Sequence, residues 1–359
     1  MTLSTPLLAA APLLAGLIGP ALLGAAPGPQ QADRSAVVPA HTARRSDIVE
    51  HVAARTAADQ RRVLDYWTPE RMAKALPIGL LGVVTDGGLL GGLTGRAGVR
   101  TTPDLTGRQA DLTVPRKLMG SHQLTAARPD SSTIGSRWVT GGLVAKTTGR
   151  VFLTLAGADF VCSASTVKSA NRDVVVTAGH CVKDGAGEWA ANWTFVPGYR
   201  MGGGHPYGQY TARRMFVAGP WSRSGDDNHD VGMVALATSG GRHVADVVGT
   251  QEIVFNPARG GQAFGFGYPA DPPYDGDHLV YCAGRLKDDP YGQTRDQGLG
   301  CDMTAGSSGG PWMTRFDPAT GKGVIMSLSS FKYSDDRRTM YGPYFGDAAR
   351  ALFNTAERA

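Results

Sequence analysis

Cys301-Asp302-Met303-Thr304-Ala305-Gly306-Ser307-Ser308-Gly309-Gly310-Pro311 places a serine hydroxyl in a tight, glycine-rich turn. Glycines let the backbone turn sharply there and aim N–H groups at a common point. The amides of Gly306 and Ser308 are then candidates for stabilising the oxyanion of a tetrahedral intermediate. Alone, the stretch also fits a hairpin with an incidental serine. About 130 residues upstream, Thr177-Ala178-Gly179-His180-Cys181 sets a histidine beside a cysteine at the end of an apolar run. A serine hydroxyl is a poor nucleophile until a neighbouring base takes its proton, so the two motifs together point to acyl-transfer chemistry.

Of the eight histidines, only His180 has this setting. An imidazole takes and returns a proton near neutral pH, which suits it as the general base. His41 and His51 lie far upstream, and His122, His205, His243 and His278 fall in polar loops. His229 precedes Asp230-Val-Gly-Met-Val-Ala-Leu236, a segment that reads as a buried strand. An aspartate at the mouth of such a strand can accept from the second imidazole N–H and fix its tautomer. Asp226 and Asp227 compete for that role but belong to the polar loop 222–228. A rigid, dry position favours Asp230.

Outward from these motifs, the chain after Trp138 reads as short strands separated by Gly, Asp, Asn and Pro turns. Residues 151–155, 173–177, 193–196 and 231–236 make one group, and 253–255, 262–267, 279–282 and 323–328 a second. Regular short strands with turn signals predict an all-β fold of sandwiches or barrels. Residues 347–358 predict a terminal helix. The chain has 359 residues, 49 of them glycine, with 19% charged residues and a net charge of +5. This is a turn-rich composition with no basic run interleaved with aromatics, so nucleic-acid binding has no support.

The N-terminal third is different. Residues 3–26 are apolar and end in Gly24-Ala25-Ala26, the pattern of a secretory signal peptide. Pro6, Pro12 and Pro20 argue against the alternative of a spanning helix. Residues 46–66 read as helical, with Asp47 and Glu50 as a start signal. Residues 79–98 hold eight glycines and read as a flexible connection. The region suits a prosegment removed after export, or else an ordered accessory domain or a stalk. A maturation point is expected between Arg108 and Arg137.

Cys162, Cys181, Cys282 and Cys301 permit three pairings. The pairs 162–181 and 282–301 each close a loop of about 20 residues, worth about 3 kcal/mol in the chain-entropy model. Without a Cys-x-x-Cys or His-x-x-x-His spacing, a zinc site is not expected. Disulfides agree with an oxidising compartment.

These residues carry a resemblance to chymotrypsin-fold serine peptidases. The order His180, Asp230, Ser308 is that of the trypsin-like clan, not of subtilisins or α/β-hydrolases. Residues 301–311 most resemble bacterial secreted V8-like, glutamyl-endopeptidase-like proteins. The resemblance covers about 136–350 and implies two packed antiparallel β-barrels, with His180 and Asp230 from the first and Ser308 from the second. It implies a signal peptide over 1–30, a partly helical prosegment and linker over 31–120, and a peptidase domain over 121–359. Within that domain the first barrel is expected over about 138–245, the second over about 246–346, and a C-terminal helix over 347–358.

Departures from the pattern shape what is expected. Ser307 stands where trypsins carry the aspartate that receives a new N-terminus, so activation through that ion pair is not expected. Residues 324–331 lack the histidine by which glutamyl endopeptidases bind an acidic side chain. Asp302, six residues before Ser308, could floor a pocket for lysine or arginine or could be structural. Thr304, Ser327 and Ser329 are further candidates for substrate contact, the serines through a strand that pairs with the substrate backbone. The expectation is a serine endopeptidase exported from a bacterial cell, monomeric, acting on polypeptides. It needs no cofactor or metal and keeps no stable membrane association after signal cleavage. The alternatives are a catalytically silent peptidase-fold protein used for binding or adhesion, and an esterase.

Overall fold

The apolar, β-branched runs on either side of the His180 motif pair with one another and close on themselves. In the computed structural model, which describes residues 47–78, 132–200, 205–333 and 335–359, six strands make a closed ring. The order is Tyr210–Ala218, Ala191–Pro197, Thr148–Leu155, Ala158–Thr166, Val174–Thr177 and Gly232–Leu236, which returns to Tyr210–Ala218. Side chains of Val151, Leu153, Val175, Phe195, Met215 and Val234 fill the ring and are fully buried. Gly149 has no side chain because a Cβ there would run into the Val196 carbonyl of the neighbouring strand.

The second barrel is built from two sheets. Glu252–Ile253, Lys322–Leu328, Pro311–Asp317, Gln262–Gly267, Val280–Arg285 and Ser132–Arg137 form one, in that order. Lys287–Asp288, Gln297–Gly300, Asp336–Gly342 and Phe331–Tyr333 form the other. Ala263, Val280, Trp312 and Met326 from the first meet Leu299 and Met340 from the second in a shared core. The Cys282–Cys301 disulfide links the two sheets, and Cys162–Cys181 ties the His180 turn to an adjacent strand. The helix Asp347–Ala356 buries Ala349, Leu352 and Phe353 in the core that includes the first barrel.

The described residues fall in one unit. The expected signal peptide, and the parts of the expected prosegment and linker at 31–46 and 79–120, lie outside the described residues. Residues 47–78 correct one expectation. The span 46–66 is not one helix: Ile48–Val52 is a strand antiparallel to Arg214–Ala218, and the helix runs only over Ala57–Tyr66. The β-branched Ile48, Val49 and Val52 favour extended backbone. The helix start lies at Thr56, whose side chain and that of Asp59 form a reciprocal capping box. Asp47 pairs instead with Arg223 at 2.6 Å. Among the described residues, no helix is long and apolar enough to cross a membrane.

Candidate active site

His180 lies in the single turn Gly179–Cys181 that follows the strand Val174–Thr177. The disulfide at Cys181 anchors the turn from one side, and Asp230 holds it from the other. The His180 amide donates to Asp230 Oδ1 at 2.8 Å, and the imidazole Nδ1 lies 2.8 Å from Oδ2. Both side chains are buried. Gly179 lets the pair approach so closely, since a Cβ there would sit 2.9 Å from Asp230 Oδ1.

Burial by itself would push the Asp230 carboxyl up. The His180 imidazole, the Ser330 hydroxyl and the His180 amide together outweigh that and hold it below the usual aspartate range. An ionised carboxylate only accepts, so Nδ1 carries the hydrogen, and in the neutral ring the lone pair is then on Nε2. That Nε2 is buried and has no hydrogen-bond partner among the described residues. The indole of Trp221 packs beside the imidazole, with ring centroids 6.4 Å apart.

Ser308 is buried in the turn between Gln297–Gly300 and Pro311–Asp317. Its carbonyl accepts from the Ser163 amide at 2.7 Å and lies 3.7 Å from Cys181 Sγ, so the serine turn rests against the residue after His180. Gly309 makes this contact possible. Its φ is +80°, and a Cβ would collide with the Thr177 hydroxyl, the Ser163 carbonyl and the Ala178 amide. No hydrogen bond joins Ser308 to His180 among the described residues.

The turn sorts its amides into two groups. Those of Ser307, Gly309 and Gly310 donate to the carbonyls of Thr304, Ser329 and Ser307. Those of Gly306 and Ser308 donate to no protein group among the described residues. Gly306 takes φ +91°, a conformation an L side chain rarely adopts.

The other sequence candidates are differently placed. Asp302 Oδ1 accepts from the Gly135 amide at 2.7 Å and from the Tyr274 hydroxyl at 2.6 Å. Thr304 Oγ1 donates to the Asp271 carbonyl at 2.8 Å. Ser327 Oγ donates to the Pro343 carbonyl, and Ser329 Oγ accepts from Trp312 Nε1. Both hydroxyls are buried and hydrogen-bonded within the second barrel.

Ser330 is one residue that sequence reasoning missed. Its Oγ donates to Asp230 Oδ2 at 2.5 Å, linking the second barrel to the aspartate of the first. It lies between the strands Lys322–Leu328 and Phe331–Tyr333, and no local sequence pattern marks it. Ser330→Ala removes a hydrogen bond to a charged group and should lower kcat/KM about tenfold. Steady-state kinetics beside a thermal melt check this; unchanged kinetics would mean the hydroxyl does not orient the pair.

Lys332 was also missed. It is buried, its Nζ donates to the carbonyls of Cys301 and Arg337, and burial pushes it down to about 8 despite the nearby Asp302 and Asp336. Cys162, His180 and Cys181 converge within 4.8 Å. Their sulfurs are bonded to each other, so neither offers the thiolate that zinc binding uses.

The double barrel, the buried His–Asp pair and the serine turn together define the class of chymotrypsin-fold serine proteases. Over 60% of its length the chain is 40% identical to the protease Anisep of Arthrobacter nicotinovorans, covering 96% of it with a TM-score of 0.57. It is 39% identical to AL20, a thermostable serine protease from an extremophilic microorganism, covering 99% of it, again with a TM-score of 0.57. A Glu endopeptidase structure, 18% identical with a TM-score of 0.50 over 98% of its chain, shares the fold.

Among curated proteins, the chain is 40% identical over 74 residues to the extracellular metalloprotease of Bacillus subtilis. It is 42% identical over 64 residues to the glutamyl endopeptidase of Bacillus licheniformis. These two matches span less than a quarter of either relative, 23% and 20%. No family model matches the sequence. The chain belongs to the chymotrypsin-fold serine proteases.

Proposed function

We propose that this chain is a secreted serine endopeptidase in which Ser308, His180 and Asp230 form the catalytic triad. The observation that carries the reading is the buried His180 Nε2. It is left with its lone pair by the Nδ1–Asp230 bond, and it belongs to a turn that rests against the serine turn. Ser308 Oγ attacks the scissile carbonyl while Nε2 takes its proton, and Asp230 stabilises the imidazolium that forms. The unengaged amides of Gly306 and Ser308 receive the oxyanion. Nε2 then returns the proton to the leaving amine, and water hydrolyses the acyl-enzyme by the same base. The Ser308–His180 hydrogen bond forms as substrate closes the site, as is common where resting geometry is loose.

Phe331–Tyr333 is the last strand in the order of its sheet, the position at which a substrate strand would add. Asp302 serves as a structural carboxylate rather than a pocket floor, because the Gly135 amide and the Tyr274 hydroxyl both donate to its Oδ1. The two disulfides fit an oxidising compartment and so support export. A fluorophosphonate reporter is the direct test. One label per chain on Ser308, with parallel loss of peptide hydrolysis, is the expected result. A folded, processed protein that takes no label would point instead to a silent binding protein.

A further inference from the structure

Residues 47–78 fall where a discarded prosegment is expected, yet they are built into the first barrel. Ile48–Val52 pairs over its full length with Arg214–Ala218, and the amides of Ala53 and Ala54 extend the ladder to the carbonyls of Arg213 and Ala212. Gly232–Leu236 takes one edge of that strand, while Ala191–Pro197 meets it only at Tyr210 and Thr211. Without the upstream segment, an edge of the barrel would be bare.

The rest of the segment is anchored by burial. Trp67 is 3% exposed and Ile78 fully buried, in the same core as Val151, Phe152 and Leu153. The Trp67 ring lies 5.5 Å from Phe152, and its Nε1 donates to the Asn192 carbonyl. Leu76–Pro77 runs parallel to Phe160–Val161, and the Ile78 amide donates to the Val161 carbonyl. Asp159 receives both the Tyr66 hydroxyl and the Arg71 guanidinium.

The segment also reaches the loops around His180. The Asp47 carbonyl accepts from the Gly219 amide, and its carboxylate pairs with Arg223. Those two residues flank Trp221, whose indole packs beside His180 and donates to the Lys183 carbonyl. His51 stacks on Trp189 with centroids 5.2 Å apart, in the loop that follows His180.

We infer that residues 47–78 are a permanent part of the working molecule. After a cut in the 79–131 connection they stay on the barrel as a second chain, held by strand pairing and the Trp67 and Ile78 anchors, and they brace the loops around His180. The bracing rests on the peptidase reading; the docking does not.

A recognition site for a sequence-specific protease, inserted between residues 90 and 100, allows the full chain to fold first and be cut afterwards. The two pieces should then co-elute on gel filtration, and fluorophosphonate labelling should persist at about its uncut rate. Trp67→Ala in the cut chain should weaken retention by more than about tenfold and slow labelling as the fragment leaves. Ile78→Ala serves if that variant does not fold. Release of the parent fragment with the remainder folded overturns the proposal, as does a stripped remainder that labels as fast as the pair. Absence of labelling both before and after the cut, with the pieces still together, counts against the peptidase reading alone.

Discussion

Ser308→Ala should lower peptide hydrolysis by roughly four to six orders of magnitude while leaving the thermal melt nearly unchanged. The hydroxyl is the one atom removed. The hydrogen bonds that shape the turn run through backbone, from Ser163 to the Ser308 carbonyl and from Gly309 to Ser329. They survive the substitution. No hydrogen bond made by the Ser308 side chain holds the fold among the described residues, so stability should change by less than about 0.5 kcal/mol. Substrate affinity should also persist, because the unengaged amides of Gly306 and Ser308 remain. The measurements are single-turnover hydrolysis, binding of an uncleaved peptide and a melt. A variant that still cleaves at more than a hundredth of the parent rate would remove Ser308 from the nucleophile's role.

The parts of this arrangement visible in the sequence are those with local signatures. Glycines at 306, 309 and 310 announce a turn, and β-branched runs such as Val174-Val175-Val176 announce buried strands. The strands assigned to two groups by texture do fall in two different barrels. Tyr210–Ala218 is not among the strands read from the sequence; Arg213 and Arg214 break its apolar pattern. Arg213 lies there because its Nε donates to the Leu236 carbonyl, and Arg214 because it pairs with Glu50 across the added strand. Pro311–Asp317 was masked by its opening proline, which is tolerated as a first strand residue. The strand at Ile48–Val52 had no partner within its own neighbourhood; the edge it completes lies more than 160 residues downstream. Ser330 and Asp302 show the same limit. Each side chain's role is set by a residue on a distant strand or loop, Asp230 for one and Gly135 and Tyr274 for the other.

Asp230→Asn should lower kcat about 10⁴-fold, because the amide would impose the wrong imidazole tautomer. Three donors converge on the carboxylate: the His180 amide, His180 Nδ1–H and the Ser330 hydroxyl. An asparagine can accept at only one of its two terminal atoms. Wherever its NH₂ faces Nδ1, the ring must turn its proton to Nε2 and lose the lone pair that deprotonates Ser308. The same substitution should also change how stability depends on pH. Asp230 is held below the usual aspartate range, so the unfolded chain binds its proton first as the pH falls. Its contribution is therefore complete above that range and is lost as the pH drops through the lowered folded value. The parent should melt higher than Asp230→Asn at neutral pH, and the gap should narrow steadily on acidification. A gap that stays constant from neutral pH into the acid range would show that the buried carboxylate is not stabilised by these three donors, and the orienting role would fall with it.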